Sequence, residues 1–129
     1  MEHPSVSVIR RGYNAFATGD IDTLKELIAP DAIWYSPGKN PISGTYRGFE
    51  AILGYFGKFS ALSDGQFQLE VLDIFASDQR GVALTRDTVT RNGKTLSWEG
   101  GVVFTLQAGK VIEAWSFNRD QDLVDQFWS

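Results

Sequence analysis

The 129-residue chain contains no cysteine, a single histidine and a single methionine. Missing thiols exclude a disulfide framework, a thiolate nucleophile and zinc or iron held by Cys. The lone His3 lies next to the N-terminus, which leaves almost nothing from which to build a His metal site or a His-containing triad. Positive charge is sparse too. Twelve Lys and Arg against sixteen Asp and Glu leave a net charge of −4 without any basic stripe, so a nucleic-acid partner is not expected. No stretch approaches the roughly 18 apolar residues of a membrane span, and MEHPSVSVIRRG lacks the basic start and apolar run of a signal peptide. A cytoplasmic protein without membrane contact is the expectation. The available chemistry is that of carboxylates, Tyr, Arg, Lys, Ser and the backbone, with no metal and no organic cofactor expected.

What is abundant is aromatic. Nine Phe, four Trp and four Tyr make up 13% of the residues, enough for either a large aromatic core or an aromatic cavity. The stretch DAIWYSPGKNPISGTYRG, from Asp31 to Gly48, sets Trp34 and Tyr35 on a short strand that runs into a stiff Ser-Pro-Gly corner. Such a strand and turn commonly frame the mouth of a small-molecule pocket.

The chain reads as one domain, 1–129. Val6, Ile9, Tyr13 and Phe16 recur at helical spacing over 4–18, and Gly19 is placed to end that helix. Asp20 can cap a second helix carrying Leu24, Leu27 and Ile28, which Pro30 stops. Phe49, Ile52, Leu53, Phe56 and Phe59 mark a third helix over 48–62; Gly54 and Gly57 within it imply close packing against another backbone. From Gln66 the period becomes two, giving strands at 66–77, 79–92, 95–107 and 110–119. Asn92-Gly93 and Ala108-Gly109 supply hairpin turns, so these strands form an antiparallel meander, followed by a short helix at 120–128. Helices first and a long meander afterwards predict an α+β domain whose curved sheet wraps around the helices as a cone.

Three segments, GDIDTLKELIAPDAIWYSPG, PISGTYRG and GKVIEAWSF, resemble the nuclear transport factor 2-like superfamily, specifically its SnoaL-like branch of polyketide cyclases and ketosteroid isomerase relatives. The resemblance covers nearly the whole chain. It implies the cystatin-like cone and pairing of two copies through the sheet, but no single chemistry, because the superfamily includes isomerases, cyclases, dehydratases, epoxide hydrolases and binding modules. The isomerase relatives use an Asp base and an oxyanion hole of a Tyr and a protonated Asp. Those positions correspond here to Ser36, Gly12 and Val102, so steroid isomerisation by that mechanism is not expected. Neither the paired histidines of scytalone dehydratase nor the Asp-Arg-Asp pattern of limonene epoxide hydrolase is present.

Alternation sorts side chains between sheet faces. Leu96, Trp98, Val102, Phe104 and Leu106 share one face of the 95–107 strand. On 79–92, the set Ala83, Thr85, Asp87 and Val89 is aligned with the pocket by the resemblance. That makes Asp87 the candidate acid or base, since apolar surroundings raise a carboxyl pKa. A surface Asp87 paired with a neighbouring Arg is the alternative, and a one-residue bulge would turn Arg86 inward instead and favour an anionic ligand. Asn118, with Ser116 on the same face, can orient a ligand or can simply cap the strand end. Tyr13 or Tyr55 can donate to a developing oxyanion or can be ordinary core. Phe16, Trp34, Ser36, Tyr55, Phe56, Thr85, Trp98, Val102, Phe104 and Ser116 are the expected pocket lining, with Tyr46-Arg47 a weaker candidate at the mouth. Trp115 and Phe117, on the convex face, need cover either from a second copy or from Phe127 and Trp128 folding back.

The expected function is proton transfer, as an isomerase, cyclase or lyase, on a hydrophobic carbonyl-bearing or cyclic molecule. The alternative is a non-catalytic ligand-binding or dimerisation module that has lost the family's carboxylates.

Overall fold

A computed structural model describes residues 3–64 and 66–129. Helix α1 spans Pro4–Thr18 and α2 spans Ile21–Leu27. Their junction follows from local chemistry: Gly19 takes φ +69° as the left-handed cap of α1, and the Asp20 carboxylate accepts the Thr23 N–H at 3.2 Å to start α2. Strand β1 is Ile28–Ser36, β2 Gly44–Arg47 and helix α3 Phe49–Leu62. Strands β3 (Gln66–Ala76), β4 (Arg80–Arg91), β5 (Lys94–Gln107) and β6 (Lys110–Asn118) follow, then α4 (Gln121–Trp128). Together they give the α+β, cystatin-like arrangement anticipated from the sequence.

All six strands form one sheet in the order β2-β1-β6-β5-β4-β3. The β4–β5 hairpin closes on Asn92-Gly93, both at positive φ, and β5–β6 closes in the same way on Ala108-Gly109. Pairing of β4 with β5 runs without a break from Arg80↔Thr105 to Arg91↔Lys94, with Asp87 opposite Trp98. The register slips lie elsewhere, between Val71 and Asp73 on β3 and between Thr105 and Leu106 on β5. Side-chain parity along β4 is therefore preserved.

Several expectations need correction. Helix α2 ends at Leu27, and Ile28 opens a nine-residue strand that contains Pro30. Proline is tolerated there because β1 is irregular against β6 between Ile28 and Ile33, so no regular ladder needs its missing N–H. Beyond the Ser-Pro-Gly corner the chain forms a second strand, β2, which pairs with β1, and β1 joins the meander in parallel with β6, a long-range pairing that no local pattern announces. Gly54 and Gly57 lie on the exposed side of α3 with open space where a Cβ would stand, so no neighbouring backbone approaches them.

The core lies between the helices and the concave face. Ala32, Ile52, Ala83, Val89 and Ala114 have no accessible surface, and Trp128 keeps 2%. Phe127 and Trp128 pack on Trp98, at 5.5 and 6.1 Å between ring centroids, so they do not fold back over Trp115. Trp115 remains 45% exposed, 6.0 Å from the Phe117 ring.

Candidate functional site

The sheet curves around α1 and α3 to leave a cavity of about 120 Å³. Its walls are aromatic. Trp34, delivered by β1, meets Tyr55, Phe56 and Phe104 at 5.7, 5.1 and 5.8 Å between centroids, and Phe16 of α1 meets Phe56 at 5.4 Å. Val102 and Phe104 are buried wall residues of β5, and Trp98 keeps only 6% of its surface. Ser36 and Pro37 border the cavity where β1 ends, with Asn40 and Ile42 from the loop beyond. The expected lining set is thus brought together. Tyr46 is not among the bordering residues; it stacks on Tyr55 at 4.6 Å, and its hydroxyl donates to the Ile42 carbonyl at 2.6 Å. Phe117, read as convex only, also borders the cavity.

Asp87 faces this space from β4, partly buried between Thr85 and Val89. Arg86 points the other way, exposed, 3.4 Å from Glu70 and 3.8 Å from Glu99. Desolvation pushes the Asp87 carboxyl up to about 7. The Thr85 hydroxyl, donating to its Oδ1 at 3.3 Å, and the nearby Trp98 indole N–H favour the charged form and offset part of that rise. The indole lies close enough to act on the charge without closing a hydrogen bond, since Trp98 Nε1 has no partner by geometry.

Tyr13 Oη is likewise buried and unpartnered. Burial raises its pKa, with further contributions from the charge of Asp87 and from Tyr55, so the phenol keeps its proton. Two unsatisfied donors and a carboxyl that titrates near neutrality therefore share one region. Most buried polar groups find partners, and leaving one unmade costs about 1–3 kcal/mol.

A second polar cluster involves β1, α3 and β6. Trp34 Nε1 donates to Ser116 Oγ at 3.0 Å, and Tyr55 Oη shares a hydrogen bond with the same oxygen at 3.2 Å. The Tyr55 pKa is raised by burial, an effect that hydrogen bonds from Ser116 and Ser36 reduce. Asn118 borders the cavity, but its Nδ2 donates to Gln121 Oε1 at 3.0 Å, which ties β6 to α4 in the manner of a strand-end cap.

The latch across the mouth had no sequence signal. Asp125 Oδ1 of α4 accepts from Lys39 N at 3.0 Å, Asn40 Nδ2 at 2.7 Å and Gln121 Nε2 at 2.9 Å. Its partners in the loop lie about 85 residues away in sequence, and only the closed cone brings them together. Trp98 was legible as a wall residue, but its unpartnered N–H was not. Among the described residues no cluster of three or more His, Asp or Glu could hold a metal ion.

Comparison with known proteins gives this geometry a context. A family model described as a SnoaL-like domain matches residues 9–114. An uncharacterized protein of Mycobacterium tuberculosis is 28% identical over 96% of this chain and 95% of its own length. Among solved structures, Bal32a from a soil-derived mobile gene cassette is 35% identical with a TM-score of 0.92, covering 98% of this chain and 97% of that one. A protein of unknown function with a cystatin-like fold from Xanthomonas campestris is 32% identical with a TM-score of 0.87, covering 97% and 98%. IdmH of Streptomyces antibioticus, a proposed polyketide cyclase, is similar in fold alone, at 22% identity and a TM-score of 0.75 over 97% and 99%.

Proposed function

The chain belongs to the SnoaL-like domain family, and on that premise we propose that it binds a small, largely apolar, carbonyl-bearing or cyclic molecule and moves a proton on it with Asp87. The observation that carries this reading is a carboxyl titrating near pH 7 inside an aromatic cavity, beside two buried donors that lack acceptors. A general base works best when its pKa lies near the operating pH, and such a group contributes about 10²- to 10⁴-fold. Ionised Asp87 takes a proton from the carbon next to a carbonyl: the C–H bond breaks, an O–H forms on the carboxyl, and the electron pair moves onto the carbonyl oxygen. Tyr13 and Trp98 donate to that oxygen as it becomes negative, and protonated Asp87 returns the proton to the same or another carbon. Return to the same carbon exchanges the hydrogen, and return to the far carbon of a conjugated dienolate shifts the double bond. Ring closure follows when the enolate carbon instead attacks a second carbonyl of the same molecule and protonated Asp87 gives its proton to the alkoxide so formed.

A second reading, a non-catalytic binding protein, is favoured by one observation. Ser36, Gly12 and Val102 stand where the isomerase relatives carry their working groups. Proton NMR in D2O separates the two readings. The wild type is expected to accelerate deuterium uptake next to the carbonyl of cyclohexanone, cyclohex-2-enone or 1-indanone, and Asp87→Asn is expected to return it to the buffer rate. Equal rates for the two proteins would leave the binding reading. We also infer that two copies pair through the convex face; the exposure of Trp115 beside Phe117 supports this.

A further inference from the structure

The polar groups around the cavity are unbalanced, and the imbalance describes the ligand. At the Asp87 end, Tyr13 Oη and Trp98 Nε1 are donors without acceptors. In the other cluster, the hydrogens can be counted. Ser116 Oγ accepts the Trp34 N–H, and one further bond joins Ser116 and Tyr55, whichever of them donates. Ser36 stands beside Tyr55 and adds a third hydroxyl. Of the three hydroxyl hydrogens one serves the bond between Ser116 and Tyr55 and at most one more a bond between Ser36 and Tyr55, so at least one is left over. Some acceptors are engaged: Asn40 Oδ1 takes the amides of Ile42 and Ser43, and Asp87 Oδ1 takes the Thr85 hydroxyl, which leaves the second Asp87 oxygen for the acid-base step.

Charge narrows the choice further. Among the described residues no Lys, Arg or His borders the cavity, so a carboxylate ligand would meet Asp87 without a counter-ion, and an ammonium ligand would leave the donors facing a cation. Size narrows it again. A cavity of about 120 Å³ is comparable to the ~150 Å³ apolar cavity known to take benzene, which is room for one six-membered ring. Trp98 and Val102 occupy inward positions of β5 four residues apart, about 13 Å of strand, and Ser116 pairs with Val102. A ring with an acceptor at each end can address both groups at once.

Resting on the reading of this cavity as the functional site, we propose that its ligand is a neutral monocyclic dicarbonyl. One carbonyl oxygen is received by Tyr13 and Trp98 beside Asp87, and the opposite one by the spare hydroxyl of the Ser36-Tyr55-Ser116 group. The Tyr13 and Trp98 donor atoms are closed to solvent, so the proposal requires side chains of the wall to shift as the ligand enters.

The test is an NMR titration of ¹⁵N-labelled protein, with the Trp98 indole signal assigned through Trp98→Phe, using cyclohexane-1,4-dione, cyclohexanone, methylcyclohexane and cyclohexanecarboxylate. The dione is expected to bind about tenfold more tightly than cyclohexanone, and cyclohexanone more tightly than methylcyclohexane, with the Trp98 signal moving only for the ketones. Tyr13→Phe should weaken both ketones, whereas Ser36→Ala, Tyr55→Phe and Ser116→Ala combined should weaken only the dione. Methylcyclohexane or the carboxylate matching the dione on the wild type would overturn the proposal, and this comparison needs no variant to fold. The combined variant weakening both ketones equally would overturn the two-ended placement. The catalytic reading is judged separately: selective dione binding without Asp87-dependent deuterium uptake sinks proton transfer alone, and Asp87-dependent uptake without dione selectivity sinks the ligand assignment alone.

Discussion

Replacing Asp87 by Asn should change the pH dependence of folding more than any other single substitution at this site. The carboxyl titrates near 7 in the folded chain against an ordinary value of 3.8. At about 1.4 kcal/mol per pH unit, that gap corresponds to roughly 4 kcal/mol. The sign follows from proton affinity: the folded state holds this proton more tightly than the unfolded state. The contribution is therefore fully present below pH 3.8, declines as pH rises, and is gone above pH 7. From pH 4.5 to pH 8 the wild type should lose about 3 kcal/mol relative to Asp87→Asn. Tyr13 and Tyr55, whose pKa values burial raises, stay protonated throughout this range and do not contribute. Urea unfolding of both proteins at pH 4.5, 6 and 8 measures the difference, and subtraction cancels the titration of all other carboxylates. A difference that stays flat across these pH values would show that Asp87 is solvated like a surface carboxylate. The acid-base role would then lose its physical basis.

Gly54→Ala and Gly57→Ala should each stabilise the chain by up to about 1 kcal/mol, because a methyl group there meets open space on a helix surface; calorimetry showing a loss of Tm would contradict the packing described for α3. Asp125→Ala should cost about 1–3 kcal/mol and speed amide exchange at Lys39, since three donors lose one acceptor; unchanged exchange would mean the latch is not closed in solution. Gly38→Ala should loosen the same latch, because Gly38 sits at φ +89° and its added Cβ would collide with Asp125 and Gln121. Trp115→Asp should convert a dimer to a monomer in sedimentation equilibrium, and a wild type already monomeric at micromolar concentration would remove the proposed pairing.

Much of the cone was readable before any coordinates, because its signals are local. The Gly19-Asp20 junction, the positive-φ hairpins at Asn92-Gly93 and Ala108-Gly109, and the alternation along β4 and β5 each depend on residues close together in the chain. Alternation put Asp87 and Arg86 on opposite faces, and the resemblance turned the Asp87 set inward, on condition that no bulge intervened. Sequence could not verify that condition, because a bulge depends on how the partner strand is paired. Residue types alone excluded thiol chemistry, left almost nothing for His chemistry, and set carboxylates, Tyr, Arg, Lys, Ser and the backbone as the available groups.

Everything that makes those groups a site arises from distant parts of the chain. The parallel β1–β6 pairing brings Trp34 to Ser116, 82 residues away, and α3 brings Tyr55 to the same hydroxyl. Whether a donor such as Trp98 Nε1 is left unpartnered, whether Gly54 packs or faces water, and whether Phe127 and Trp128 close the cone or cover Trp115 are questions of what lies within a few ångströms in space. Chain-local patterns specify faces and turns; the free energy of a buried charge or an unmade hydrogen bond depends on the surrounding volume, which exists only once the sheet has curved around its helices.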